Sequence, residues 1–588
     1  MERPTYQNQT PLETRRLGNV AITAPFLERM KVRQIIDQHL PGDDKLEFSY
    51  GQIIELLVAA RLSGPTPLSG IQDWAEESGA DLLYAIPNEK LNDDRFGRAL
   101  DQFFTQRHSI LGQLALHVCE TFGISLNKLH YDPTHLFFTG EYENAQPREQ
   151  RMSQYDNQGN LISVCCDGDL PAAHITKGKP LADAPIGSRM VHLGIGTFVD
   201  ELGPVPLSAH MMDGNENGHA GIEEHLGLIT KHLQPQTLIK VSDRGTFSVG
   251  HLQRIVSQGF DAICSAPWND VSKLFDEKFE SLQWYESSYL SIEQRRRRDR
   301  KSTLPLEHYQ IASTPYTFKG SASTPSVDTR VIFVYSTADV KAVAKQRAKQ
   351  LNKIKIALEK CRLNVQRRGA YSDCESVTRR MAKLLAKGQV AKHVTWNMVP
   401  LSKEDQTNKA VQGRGNRQPT HQFKYTINET MLEEEAHYDG YSAIVTTLKA
   451  QDESDDDVFL DFRQQTYSEL ANRTLKNPKQ LAVRPVFLQT PERVEALAFA
   501  LVIALMTHYL IQREYRKHAT ADPDATEKDK TRTADKIFLA FRSYCLVLEK
   551  EGRERYIYPT ALNERQRNII NRLSIPPPSR FLKNKFAA

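Results

Sequence analysis

The chain has 588 residues, 40% of them hydrophobic and 25% charged, with a formal net charge of +4. That composition suits a folded protein of several domains and argues against a disordered or fibrous one. With so little net charge, any grip on nucleic acid must come from local basic patches. Seven cysteines without a CxxC spacing speak for a reducing compartment and against a secreted disulfide framework. The opening MERPTYQNQTPLETRRLGN lacks the apolar run of a signal peptide. The longest apolar run, Ala496–Met506, is short for a bilayer span and is expected as a buried core helix. A soluble, cytoplasmic protein with no membrane partner is expected.

Residues 1–122 predict an all-α N-terminal domain, for DNA binding, dimerisation or simply packing on the core. Phe26–Leu40, Tyr50–Leu62, Asp93–Phe104 and His108–Phe122 each carry apolar residues at helical spacing, separated by turn material such as Pro41-Gly42-Asp43-Asp44. The pattern then changes. Residues 126–142, 190–200 and 204–214 predict strands, followed by a helix Ala220–Leu233, a strand 237–243, a helix Ser248–Gln258 and a strand 260–267. Adjacent Cys165 and Cys166 are expected in a buried strand. Three antiparallel-type strands followed by helix–strand–helix–strand is the order of a ribonuclease-H-like α/β core. That core is expected over 123–267 and 441–517. Residues 268–440 are expected as a long insertion, with a strand at Val331–Tyr335 and a basic helix begun by a capping box, Ser336-x-x-Asp339. Lys341, Lys345, Arg347, Lys349, Lys353 and Lys355 surround its apolar seam. More strands are expected at 422–428 and 441–448, and an apolar helix at 490–517. Residues 518–588 are expected as a polar linker, a helix Ile537–Lys550 and a basic tail.

Asp457–Pro478 opens with acidic residues and closes on Lys476-Asn477-Pro478, as a helix should. Phe462, Gln465, Glu469, Arg473 and Lys476 follow at steps of three or four, which stacks them on one helix face. Two further carboxylates stand at strand positions. Asp132 interrupts an apolar strand, where an aspartate is unfavourable unless paired or bound to a cation. Asp243 lies where an apolar strand ends, the end at which open α/β sheets carry their chemistry. Each has a plainer reading: an Asx turn at Asp132-Pro133, a helix cap at Asp243, ordinary charge pairing on the helix face. Taken together, three carboxylates suit a pair of Mg2+ or Mn2+ ions about 3.5–4 Å apart that clamp the oxygens of phosphodiester displacement.

The spacing of Phe462, Gln465, Glu469 and Lys476 resembles the Tyr-x2-Arg-x3-Glu-x6-Lys helix of DDE-type insertion-sequence transposases. YDPTHLFFTGEY with Asp132, LIKVSDRGTFS with Asp243, MMDGNENGH and LNDDRFGRALD resemble further segments of the same family. The resemblance implies an enzyme of the bacterial nucleoid. It would cut duplex DNA at terminal inverted repeats and join the freed 3′-OH to target DNA, as a homodimer on paired ends. Asp132, Asp243 and Glu469 would be its catalytic, metal-holding residues. Gln465, Arg473 and Lys476, with Arg295, Arg296, Arg297 and Arg298, would contact DNA phosphates. Phe462 stands where the family has a Tyr, Gln465 where it has an Arg, and Leu470 and Asn472 also depart. The alternatives are a transposase-derived DNA-binding protein with impaired catalysis and a nuclease of the same fold. Trp284, Tyr285 and Tyr289 offer a base a stacking surface, although such aromatics are more often core residues. With no GxxxxGK[ST] loop, no ATP-driven step is expected. His210 and His219 flank Asp213 without regular metal-ligand spacing.

Overall fold

The computed structural model describes residues 13–42, 46–138, 142, 153–155, 161–164, 171–178, 188–216, 218–291, 294, 297, 307–320, 325–366, 374–386, 389–404, 420–477, 479–481, 488–551, 554–577 and 585–587. After a short strand β1 (Glu13–Arg15) come α1 (Val20–Arg29), α2 (Val32–His39), α3 (Tyr50–Ser63), α4 (Ile71–Ser78), α5 (Ala80–Tyr84), α6 (Asp93–Thr105) and α7 (Arg107–Phe122). Local chemistry sets their ends. Ser49 and Asn92 cap α3 and α6 through their side chains, and Gly123, at φ 65°, ends α7. The single helix expected over Phe26–Leu40 is two, because Lys31 takes a left-handed conformation at φ 56° between α1 and α2.

The body is mixed α/β around one nine-stranded sheet. Its first three long strands are β2 (Lys128–Phe138), β5 (Arg189–Asp200) and β6 (Gly203–Met212), with a small ribbon of β3 (Ser153–Tyr155) and β4 (Leu161–Val164) between the first two. Helix α8 (Gly218–Leu233), β7 (Ile239–Ser242), α9 (Val249–Ser257), β8 (Asp261–Ser265) and α10 (Trp268–Lys278) follow. Strands run in the order β6-β5-β2-β7-β8; β2–β7 and β7–β8 pair in parallel, the others antiparallel. Gly194 in β5 leaves the room that Tyr131 of β2 fills, since a Cβ there would sit 2.2 Å from the Tyr131 hydroxyl.

Part of the stretch expected as an insertion continues this sheet. Strands β9 (Tyr285–Glu286), β10 (Tyr309–Phe318) and β11 (Val327–Ser336) lie at its far side. Beyond them, α11 (Thr337–Gln366), α12 (Cys374–Leu385), the hairpin β12 (Val394–Pro400) and β13 (His421–Ile427), and α13 (Glu429–Ala436) form a smaller unit. It has a core of its own, including Leu358, Cys361, Met381 and Phe423. The chain then returns through β14 (Tyr441–Thr446), which lies between β8 and β11. Trp284 and Tyr289 pack against Tyr441 and Phe459, so both serve packing, while Tyr285 is more exposed and bonds Asp455.

The stretch expected as one helix at Asp457–Pro478 is also two, α14 (Asp455–Arg463) and α15 (Gln465–Lys476), parted at Gln464. Each half is tied to strand β2 at a different place. Asp461 of α14 takes Lys128 Nζ at 2.6 Å, while Gln465 of α15 bonds Tyr131 and His130. Helix α16 (Pro491–Ala521) comes next and is buried along most of its length. By length and composition it is apolar enough to cross a membrane, yet all of its most apolar window is buried inside the protein. Its buried charged side chains have partners: Glu495 with Arg107 at 2.6 Å and with the Ala173 amide, Glu514 with Arg29 at 3.1 Å, Arg513 with Asp200.

The C-terminal region departs from its expectation. The polar stretch after residue 518 is ordered by α17 (Glu527–Lys530) with a capping box from Thr526. The helix expected at Ile537–Lys550 stops early, as α18 (Ala534–Phe541), and gives way to β15 (Leu546–Glu551) and β16 (Glu554–Pro559). After α19 (Glu564–Leu573), part of the tail forms β17 (Lys585–Ala587) and pairs with β16, while β1 pairs with β15. Tyr544, Leu546 and Leu548 are buried while Cys545 and Val547 between them are only half-buried, the two-residue period of a strand within an apparently helical composition.

Breaking the buried Arg107–Glu495 pair should be costly. Glu495→Ala is expected to destabilise the protein by about 3–5 kcal/mol, and the double replacement Arg107→Met/Glu495→Leu by much less. Urea unfolding midpoints of the three proteins check this; a single mutant as stable as the wild type would refute it.

Candidate active site

Strand β2 carries Asp132 half-buried in its middle. Its parallel register with β7 runs from Lys128↔Ile239 to Tyr131↔Ser242, and the residue that follows each of the last pair is an aspartate, Asp132 within β2 and Asp243 just past the end of β7. Adjacent strands lie about 4.8 Å apart. Strand β7 ends at Ser242, and Asp243 is exposed, its Oδ1 accepting the Arg244 amide at 2.6 Å as the cap of a 3-10 turn. The capping role expected as its plainer reading is therefore real, and it also fixes the backbone beside Asp132.

Helix α15 brings the third carboxylate. Its inner face, Gln465, Ser468, Ala471, Asn472 and Leu475, is buried, which leaves Glu469, Arg473 and Lys476 exposed along the other side. At the boundary, Asn472 Nδ2 donates to the Asp132 carbonyl at 3.0 Å and to Asp132 Oδ2 at 2.9 Å. Burial is the main force on the Asp132 carboxyl and raises its pKa; the Asn472 bond lowers it, Glu469 and Asp243 raise it, and Lys476 lowers it. Asp132 thus sits in the field of both other carboxylates and one cation.

The groups border a cleft of about 460 Å³, lined by Asp132, Pro133, Thr134 and His135 from β2 and by Glu469, Asn472, Arg473, Lys476 and Asn477 from α15. Asp243 is not one of these lining residues. A larger hollow of about 1270 Å³ lies elsewhere, beside β1, α4 and α18. The smaller one is where Asp132 and Glu469 meet Arg473 and Lys476. Residues 12–116 match the family model described as Domain of unknown function (DUF4277). That span covers the N-terminal helices and stops short of the cleft. No curated protein matches the chain.

Among the cleft residues that were not expected as site residues are Asn472 and His135. Asn472 is the direct partner of Asp132. His135 stands Nδ1 to Nδ1 with His192 of β5 at 2.6 Å, and His192 Nε2 bonds the Gly214 carbonyl at 3.0 Å. The carbonyl can only accept, so His192 carries its proton on Nε2 and its Nδ1 accepts from His135. Burial lowers the pKa of His192, in keeping with a neutral ring. Neither contact is visible from spacing, because β2 and β5 are far apart in sequence.

Gln465 requires correction. It is buried at 7%, its Nε2 donates to the Tyr131 carbonyl at 3.1 Å and its Oε1 lies 3.1 Å from His130 Nδ1. It docks α15 on β2 and is not available to a phosphate. Phe462 packs half-buried against the core cluster that includes Val241 and Ile263. Arg297 is half-buried, and Arg295, Arg296 and Arg298 lie outside the described residues, as do Cys165 and Cys166.

Oxygen-only donors of this kind suit a hard divalent cation, and the crowding of negative charge on Asp132 is what such an ion would relieve. Among the described residues, however, no three acidic, histidine or cysteine groups are already gathered into a metal-holding set. Asp132, Asp243 and Glu469 fit the ion by chemistry and would have to draw closer around it.

Asp132 holds its proton to higher pH when folded than when unfolded, so its ionisation costs stability as pH rises through that window. Asp132→Asn should therefore raise the thermal midpoint at pH 7, by an increment that disappears below about pH 3.8, the ordinary value; an unchanged or lowered midpoint at pH 7 counts against it. Gln465→Ala should destabilise the fold by about 1–3 kcal/mol, the cost of stranding its buried partners. Urea unfolding measures that loss, and a variant of unchanged stability would return Gln465 to the surface.

Proposed function

We propose that the chain is a DNA-cutting and DNA-joining enzyme of the DDE transposase kind, with the phosphodiester held in the Asp132–Glu469 cleft. One juxtaposition carries the reading: Asp132 within β2 and Asp243 one residue past the end of the parallel neighbour β7, with Glu469, Arg473 and Lys476 supplied by one helix docked on β2. The strand order β6-β5-β2-β7-β8, parallel only from β2 to β8, supports the ribonuclease-H-like core that the order of elements led us to expect. The long chain between Asp243 and Glu469 supports the same reading.

A bound pair of Mg2+ ions, or Mn2+ in their place, supplies Lewis acidity at the attacking and leaving oxygens. Asp132, Asp243 and Glu469 are the residues that would hold it. Asn472 keeps the Asp132 carboxylate in one orientation by donating to Oδ2. Arg473 and Lys476, one and two turns beyond Glu469, oppose the charge of the phosphate backbone and set its register. In the first step a water oxygen bonds to phosphorus, the bond to the 3′-oxygen breaks, and that oxygen leaves as a 3′-OH. In the second, the 3′-OH attacks a phosphodiester of target DNA, one P–O bond forming as another breaks. Phe462 has no hydroxyl to hold a phosphate and is engaged in the core, so nothing supports processing through a hairpin. The partners implied are terminal inverted repeats, target duplex and a second copy of the chain.

A second reading, a DNA-binding protein derived from such an enzyme, draws on the departures at Phe462 and Gln465, both of which are taken up by packing. Incubating supercoiled plasmid bearing the element ends with Mg2+ or Mn2+ separates the two. The proposal expects metal-dependent cutting and joined products, abolished by Asp132→Ala, Asp243→Ala or Glu469→Ala and reduced about 10–100-fold by Asn472→Ala. Nicks without joined products would make the chain a nuclease, and binding without cutting would sink the enzyme reading.

A further inference from the structure

Helix α11 leaves the sheet from the end of β11, its first turn closed by Ser336 Oγ accepting the Asp339 amide at 3.2 Å. One side of it is spent on the smaller unit's own core, through Ile354, Leu358, Cys361 and Val365. The other side is charged with one sign. Lys341, Lys345, Lys349 and Lys353 follow at steps of four, with Lys360 seven residues further on, and all five are exposed. The basic residues on the flanks are neutralised within the fold: Arg347 by Asp439, Lys355 by Glu429, Arg362 by Glu359. None of the five exposed lysines pairs with an acid among the described residues. Between Asp339 and Glu359 the helix carries no acidic residue at all.

Helix stability alone does not produce this arrangement. Like charges four apart repel, and a solvated helix gains more by alternating glutamate with lysine. Burial in a membrane surface needs a broad apolar face, whereas the large apolar side chains Ile354, Leu358 and Val365 are spent on the core and Ile356 is the one large apolar side chain exposed among these lysines. What the ladder matches is a line of negative charge. Four residues of α-helix advance about 6 Å, so Lys341 to Lys353 cover about 18 Å and Lys360 extends the row to about 28 Å. One strand of duplex DNA presents a phosphate every 3.4 Å or so along the axis, which puts about five to eight phosphates beside the row.

We infer that the exposed face of α11 is a track for the phosphate backbone of duplex DNA, outside the carboxylate cleft. The inference rests on the reading of the chain as a DNA enzyme, and it deepens that reading by giving the substrate a second, sequence-independent contact. Lysines at this spacing contact phosphates and carry no base readout, so the track contributes grip and salt dependence but no sequence preference.

The test is binding of a random-sequence 40-base-pair DNA duplex to the full chain, by fluorescence anisotropy from 50 to 300 mM KCl without divalent metal. Cutting is then not needed for the readout, and a failure of the catalytic proposal leaves this one testable. Lys341→Gln/Lys345→Gln/Lys349→Gln/Lys353→Gln is compared with a control of equal charge change, Lys273→Gln/Lys278→Gln/Lys517→Gln/Lys528→Gln, at other exposed lysines. The ladder variant is expected to lower the slope of log K against log salt by about 3 to 4 and to weaken binding tenfold or more at 50 mM. The four-fold Lys→Arg variant should keep the wild-type slope, and the control should lie close to it. An unchanged slope in the ladder variant overturns the track, as does an equal loss in the control. A ladder-dependent slope seen with an RNA duplex and absent with DNA overturns the choice of partner.

Discussion

Everything in this fold leans on the burial of one helix. Residues Pro491–Ala521 are covered on nearly every side, and an apolar helix of that length is stable in water only if other elements enclose it. The sheet encloses it through β6, the N-terminal helices through α1, α3, α6 and α7, and the C-terminal region through α17, α18 and α19. Each fully buried leucine, isoleucine, valine or phenylalanine contributes about 1.5–3 kcal/mol against leaving it exposed. Its few charged groups set which element goes where. Glu495 takes Arg107 and the Ala173 amide, Glu514 takes Arg29, and Arg513 takes Asp200. Apolar contact would tolerate some sliding, whereas a buried charge without its partner would not.

Strand β2 is the second organiser, and it serves stability and the cleft at once. Lys128 at its start holds α14 through Asp461, His130 and Tyr131 hold α15 through Gln465, and Asp132 meets Asn472. The helix break at Gln464 separates a segment packed on β7, β8, β10 and β14 from one packed on β2, β5 and β6. It also places Glu469 in the half that docks beside Asp132. The carboxylate cluster is the costly part of the arrangement. Asp132 is desolvated and faces like charge, with the Asn472 amide and Lys476 to offset it. A protein selected for stability alone would put an apolar or neutral residue there.

Between the second aspartate and the glutamate, the chain builds two different things. Strands β10, β11 and β14 widen the sheet beyond β8. The unit from α11 to α13 then stands on a core of its own, hydrophobic inside and basic along one helix. A sheet extended by antiparallel strands and topped by a separately cored unit can change its outer surface without disturbing the Asp132–Asp243 register.

The sequence by itself determined the local elements and the residue types of the cleft. Period-two and period-3.6 apolar patterns located β2, β5, β6, α3, α6 and α7 closely, because each pattern reports which positions along the element are buried. Asp132 stood out as an aspartate inside an apolar strand, and Glu469, Arg473 and Lys476 as one face of a helix. Tertiary structure decided the rest. Asp132 is level with Asp243 only because β2 and β7 pair in parallel at one register, which no pattern within either strand specifies. Gln465 was expected at a phosphate from the family resemblance and is a docking residue, because its place on a helix face does not say which neighbour covers it. The His135–His192 contact and the Asn472 bond join segments distant in the chain. At the C-terminus a helix gave way to strands because β1 offers an edge on which β15 pairs. Such pairings depend on which surfaces meet, and only the folded chain brings them together.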